Sequence, residues 1–140
     1  MSVRYFLDTN IFVYSLDSTV PEKSHRALKL IRDGLETGNG VVSHQVVQEF
    51  FNVAFRRFAE PMSPFVAEEY LNTIFRPLLA VHSSPALFFS GLRLFHQHHF
   101  SWYESLIVAA AQEAECSILY SEDMHHDQHI DGVRIKNPFR

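Results

Sequence analysis

Four acidic residues carry the most chemical promise in this chain: Asp8, Glu49, Glu104 and Asp123. They lie far apart in sequence, and no two fall within one short motif, so a joint role depends on a fold that gathers them. Clustered carboxylates repel and raise one another's pKa unless a cation neutralises them. Oxygen ligands favour Mg2+ or Mn2+. Such an ion binds phosphate oxygens, lowers the pKa of a bound water and offsets the charge that builds up during in-line attack at phosphorus. The chemistry implied by four converging acids is phosphodiester hydrolysis.

The elements needed to position them can be read from the apolar pattern. Residues 3–7 make a short, mostly apolar strand that delivers Asp8 at its carboxyl end, where open α/β sheets keep their ligands. Thr9-Asn10 and the apolar run Ile11-Phe12-Val13-Tyr14 follow, so Asp8 stands in a strand-to-helix turn, where Asp8, Thr9 or Asn10 also suits a helix cap. Pro21 opens a helix through Ala27, Leu28, Leu30, Ile31 and Leu35, whose other face carries Lys23, Arg26, Lys29 and Arg32 and reads as solvated. Gly40-Val41-Val42-Ser43 is a second strand, and Val46, Val47, Phe50, Phe51, Ala54, Phe55 and Phe58 form the apolar face of the helix that carries Glu49.

Ser63-Pro64 and Ser84-Pro85 both have the cap-then-proline signature of a helix start, with a third strand over 78–82 between those helices. Ser101 caps a helix over 102–115 that holds Glu104 and a run of small residues. A fourth strand over 117–120 leads to Ser121, Glu122 and Asp123; a loop spans 124–132, and residues 133–135 form a short last strand. Strands alternating with helices of crossover length argue for a parallel sheet covered on both faces. Asp8 and Asp123 then emerge at carboxyl ends of strands, with Glu49 and Glu104 near helix starts on the same rim.

At 140 residues and 46% hydrophobic content, the chain suits one domain over residues 1–140. It has no run of about 18 apolar residues and no signal-peptide pattern, so a cytoplasmic protein with no membrane association is expected. The lone Cys116 reads as a packing residue. A formal charge of −4 does not advertise nucleic-acid binding, although nine histidines that titrate near neutrality can make a local field positive. Thirteen phenylalanines exceed what so small a core needs, and Phe50, Phe51, Phe55, Phe58, Phe65 and Phe75 across two consecutive helices suggest a subunit or partner interface.

Phe6-Leu7-Asp8-Thr9-Asn10, Gln48-Glu49-Phe50, the stretch from Trp102-Tyr103-Glu104 to Ala111, and Leu119-Tyr120-Ser121-Glu122-Asp123-Met124 resemble, in order, the successive motifs of PIN-domain proteins. The likeness spans nearly the whole chain and is greatest to bacterial VapC-type toxins, including the closing run from Ile130 to Phe139. The resemblance implies a three-layer α/β/α sandwich with a short parallel sheet of four to five strands. It implies a Mg2+- or Mn2+-dependent endoribonuclease acting on RNA, a homodimer, and a cognate antitoxin that inserts into the active-site groove. Carried over by position, Asp8, Glu49, Glu104 and Asp123 are the catalytic acids, with Asp8, Glu104 and Asp123 on the metal and Asn10 and Ser121 as polar supports. Glu104 stands where the family pattern usually has aspartate, a departure of one methylene that bears on metal choice and turnover.

Plainer readings exist for each residue. Glu49 sits at the margin of an apolar face, Asp123 suits a turn, and Glu122 reads as solvated. Ser101-Trp102-Tyr103-Glu104 fits the S-x-x-E capping box, and Trp102 on a first helical turn suits packing. His125, His126 and His129 lack a zinc pattern and read as surface loop residues. A haloacid-type phosphotransferase would need an aspartate where Asn10 stands. The alternative function is a catalytically impaired PIN-like module acting by protein or RNA binding.

Overall fold

The computed structural model describes residues 3–140. Its sheet comprises β1 (Tyr5–Leu7), β2 (Gly40–Ser43), β3 (Leu79–Val81), β4 (Ile118–Tyr120), β5 (His129–Ile130) and β6 (Val133–Lys136), in the order β3-β2-β1-β4-β6-β5. The helices are α1 (Thr9–Ser15), α2 (Pro21–Thr37), α3 (His44–Arg56), α4 (Pro64–Tyr70), a π turn over Leu71–Phe75 that continues into α5 (Arg76–Leu78), α6 (Pro85–Gln97) and α7 (Trp102–Glu113). All strand pairs are parallel except β5 with β6.

The expected α/β fold is present, with one strand more than the four to five expected. The addition is β5, in the stretch read as a loop, and it pairs with β6 across Asp131-Gly132. Both turn residues have positive φ, 43° and 90°, which is the backbone that a two-residue hairpin needs to match strand twist.

The central strands are buried on both faces, as parallel strands covered by helices must be. Phe6, Leu7, Val42, Leu119 and Ile135 are fully enclosed. Phe12, Phe50 and Phe75 form a tightly packed aromatic group, with Tyr70 stacked on Phe50 at 4.9 Å between ring centres. Of the phenylalanines assigned to an interface, Phe50 and Phe75 are therefore core, while Phe55 and Phe65 stay exposed. The larger free apolar face lies on α6, where Phe88, Phe89, Leu92 and Phe95 reach solvent. Trp102 packs against Phe88 and Phe95, and Cys116 is buried with a free thiol.

Close packing of α2 on the sheet depends on two glycines. A Cβ on Gly40 would stand 2.8 Å from the Cα of Gly34, so neither position admits a side chain without moving backbone. No helix among the described residues is long and apolar enough to cross a membrane.

Candidate active site

Strand order reverses at β1, whose chain runs on to β2 on one side while β4 pairs on the other. The carboxyl ends of β1 and β4 thus flank a crevice of the kind that α/β sheets offer to ligands. Asp8 leaves β1 there. It is the N-cap of α1, and its Oδ1 accepts from the Thr9 amide at 2.7 Å. Its Oδ2 accepts from the Ser121 hydroxyl, just beyond β4, at 2.8 Å. The cap of α1 is thus a carboxylate whose two oxygens are both fixed.

The rest of the rim is built by side chains reaching across elements. Asn10 donates through Nδ2 to Asp123 Oδ2 at 2.7 Å. The buried Thr9 donates through its hydroxyl to Glu49 Oε1 at 3.0 Å, tying the start of α1 to the second turn of α3. Gln45 Nε2 lies 3.4 Å from the same Glu49 oxygen and 3.2 Å from the carbonyl of Tyr103, which joins α3 to the start of α7.

Burial is the main reason that the Asp8 carboxyl is pushed up to about 6. The Ser121 and Thr9 hydrogen bonds oppose the rise, and the nearby carboxylates of Glu49 and Asp123 add to it. Asp8, Glu49 and Asp123 therefore share one field, with Asn10 and Ser121 in contact with two of them. Glu104 is differently engaged. Its Oε1 accepts from the Ser101 amide at 2.8 Å while its own amide donates to the Ser101 hydroxyl at 3.1 Å, which completes the capping box.

Glu122, read as solvated, is held instead by Lys23 Nζ at 2.5 Å and the Tyr14 hydroxyl at 2.6 Å. That clasp ties the residue before Asp123 to α1 and α2. Thr9, Gln45 and Lys23 also went unassigned to the site, because each acts through a partner that only the fold supplies. Of the three histidines read as surface loop residues, His125 and His126 lie in the loop, where His126 accepts from the Asn137 amide and pairs with Asp127, whereas His129 belongs to β5.

The donor set is hard oxygen throughout, and no basic side chain is among the groups that set the ionisation of Asp8. Among the described residues, no three His, Cys, Asp or Glu side chains stand close enough together to cage an ion. Mg2+ commonly takes only one or two carboxylates and completes its shell with water and substrate phosphate, so an open acidic rim with a strained central carboxylate fits such an ion.

The profile of the PIN domain matches residues 5–129 of the chain. Among solved structures, VapC20 of Mycobacterium tuberculosis, described as a toxin that cleaves the sarcin-ricin loop, superposes with a TM-score of 0.61 at 16% identity, over 85% of this chain and 89% of that one. VapBC2 from Rickettsia felis, bound to a fragment of promoter DNA, gives 0.61 at 17% identity over 94% and 96% of the two chains. FitAcB from Neisseria gonorrhoeae gives 0.64 at 18% identity over 96% and 98%. No curated protein matches the sequence. At these identities the likeness is one of fold.

Proposed function

The chain belongs to the PIN-domain family, and from that premise we propose that it is a Mg2+- or Mn2+-dependent endoribonuclease, the toxin of a toxin-antitoxin pair. Asp8, Glu49, Glu104 and Asp123 are its catalytic acids, with Asp8, Glu104 and Asp123 toward the metal. The observation that carries the reading is Asp8. A half-buried carboxylate fixed through both oxygens and raised further by two neighbouring acids is unfavourable for folding alone and useful to a site that binds a cation.

Each neighbour has a part in this reading. Thr9 and Ser121 orient the oxygens of Asp8, Asn10 holds one oxygen of Asp123, and Thr9 with Gln45 steadies Glu49. Glu104 contributes through Oε2, since Oε1 serves the cap. When bound, a divalent ion supplies the positive charge and the lowered water pKa that hydrolysis at phosphorus requires.

The antitoxin has a suitable groove of about 700 Å3 that begins at Asn10 and runs past Val13, Leu16, Val53, Arg57 and Phe58. Its lining combines Val13, Leu16, Val53 and Phe58 with Arg57 and the acids Asp17 and Glu60, a mix that suits an amphipathic segment ending at the acidic rim. The exposed apolar face of α6 supports a homodimer.

Purified protein incubated with defined RNAs tests the reading: cleavage should require Mg2+ or Mn2+, stop with EDTA and be absent in folded Asp8→Asn. Failure of the parent to cut any RNA, or full activity in Asp8→Asn, would overturn it. Engagement of Glu104 in its own helix cap favours the second reading, an impaired module that binds without cutting; Glu104→Asp gaining metal-dependent cleavage that the parent lacks would support it.

A further inference from the structure

A second pocket, lined by polar and apolar side chains alike, opens beside the acidic rim, between the ends of β2 and β3 and the first turn of α7. At about 90 Å3 it has room for the edge of one planar base, not for a whole nucleotide. Ser43 lines it, displaced by a register shift between Val42 and Ser43 where β2 pairs with β3. Such irregularities re-aim side chains. Ser43 is the N-cap residue of α3, yet its hydroxyl makes no capping bond. The residue is 3% exposed, and its Oγ has no hydrogen-bond partner. Buried hydroxyls are almost always satisfied, so this unpartnered donor and acceptor at the pocket wall calls for an explanation.

Three other side chains complete the setting. His82 Nδ1 and His44 Nε2 lie 2.7 Å apart, a ring-to-ring hydrogen bond that fixes both rings and leaves each a second nitrogen for another partner. Tyr103 lines the same pocket with 62% of its surface exposed. Gln45, also in the lining, links the pocket to the acids through its bonds to the Tyr103 carbonyl and Glu49.

We propose that this pocket takes one unpaired RNA base next to the scissile phosphate, with Tyr103 as the stacking platform and Ser43 and the His44–His82 pair reading the polar edge. The inference rests on the nuclease reading above. Unpaired bases are recognised by this combination of an aromatic face and hydrogen-bonding groups on the base edge. A metal fits less well: among the described residues no third His, Cys, Asp or Glu completes a set around the two imidazoles, and an exposed tyrosine ring adds nothing to an ion site.

Binding of fluorescently labelled short single-stranded RNAs to the protein in EDTA tests the pocket independently of cleavage, using RNAs with each base, or none, at one position. The parent should lose about tenfold or more in affinity when the recognised base is missing. Tyr103→Ala and Ser43→Ala should reduce that difference to about twofold, and Tyr103→Phe, which keeps the stacking face, should retain it. With Mn2+ present, Tyr103→Ala should also lose cleavage-site selectivity. Equal binding of all RNAs by the parent, or an intact base preference in Tyr103→Ala, overturns the inference even if the protein is a nuclease. A base preference that depends on Tyr103 in a protein that cuts no RNA upholds the pocket and sinks the nuclease reading. Zn2+ binding that is lost in His82→Ala while base preference is unchanged assigns the pocket to a metal and overturns it.

Discussion

Removing the charge of Asp8 should make the metal-free protein more stable. The carboxyl stands at about 6 in the folded protein against an ordinary 3.8, chiefly through burial. At about 1.4 kcal/mol per pH unit, that gap corresponds to at most about 3 kcal/mol of destabilisation at neutral pH. The sign follows from proton uptake. The folded state holds this proton more tightly than the unfolded chain, so the penalty is fully present above pH 6, is relieved as pH falls from 6 toward 4, and vanishes below that.

Asn is close to isosteric with Asp and keeps one acceptor for the Thr9 amide, while the Ser121 hydroxyl can turn to accept from the new amide. Loss of the charge-assisted bonds offsets about 1 kcal/mol, which leaves a net gain of about 1–2 kcal/mol. For a chain of this length, that is a rise in Tm of about 3–8 °C. Thermal unfolding followed by circular dichroism in EDTA measures it, at pH 7.5 and again at pH 4.5, where the advantage of Asp8→Asn should have largely disappeared. Mn2+ at about 100 times its Kd should raise the parent by about 2.7 kcal/mol and leave Asp8→Asn unmoved. If Asp8→Asn melts below the parent at pH 7.5, or its advantage does not change with pH, the carboxylate is not the strained group described here.

Three further outcomes can be measured on the same protein. Glu104→Gln keeps an acceptor for the Ser101 amide and should melt within about 0.5 kcal/mol of the parent while cleaving RNA much more slowly; Glu104→Ala should lose both, with about 0.5–2 kcal/mol of stability. Glu122→Ala releases Lys23 and the Tyr14 hydroxyl, and cleavage should fall by more than the small change in Tm explains, because the turn that carries Asp123 is no longer tied to α1 and α2. Light scattering should report a dimer at micromolar concentration, and Phe89→Glu on the exposed face of α6 should give a monomer with an unchanged circular dichroism spectrum.

What was legible in the sequence is what local chemistry dictates. The strand that ends in Asp8, the two Ser-Pro helix starts and the capping box at Ser101 all depend on residues within a few positions of one another, and each is present. The hairpin of β5 and β6 was local too. Its Asp131-Gly132 turn between Ile130 and Val133 is a strong hairpin signal, but a two-residue strand offers too little alternation to stand out. The clasp on Glu122 was not legible at all. It joins residues 99 positions apart, so from the sequence alone both Lys23, on a basic helix face, and Glu122 read as solvated.

The same division runs through the site. Asp8 was readable because one residue satisfies a local rule and a distant one together: it caps α1 and it faces Ser121 across the strand junction. At Glu104 the local and distant demands compete for one carboxylate, and the local one has visibly taken Oε1. Aspartate is a methylene shorter and spans the box from N3 to the N-cap amide less readily than Glu or Gln, which are the residues that the capping box favours. A glutamate at this position therefore anchors the start of α7 more firmly than the shorter side chain would. The same anchored turn presents Tyr103, whose carbonyl is bonded by Gln45 and whose ring lines the pocket beside the acids. In the proposed nuclease, firm placement of that turn serves the reading of a base, with only Oε2 of Glu104 left for the proposed metal.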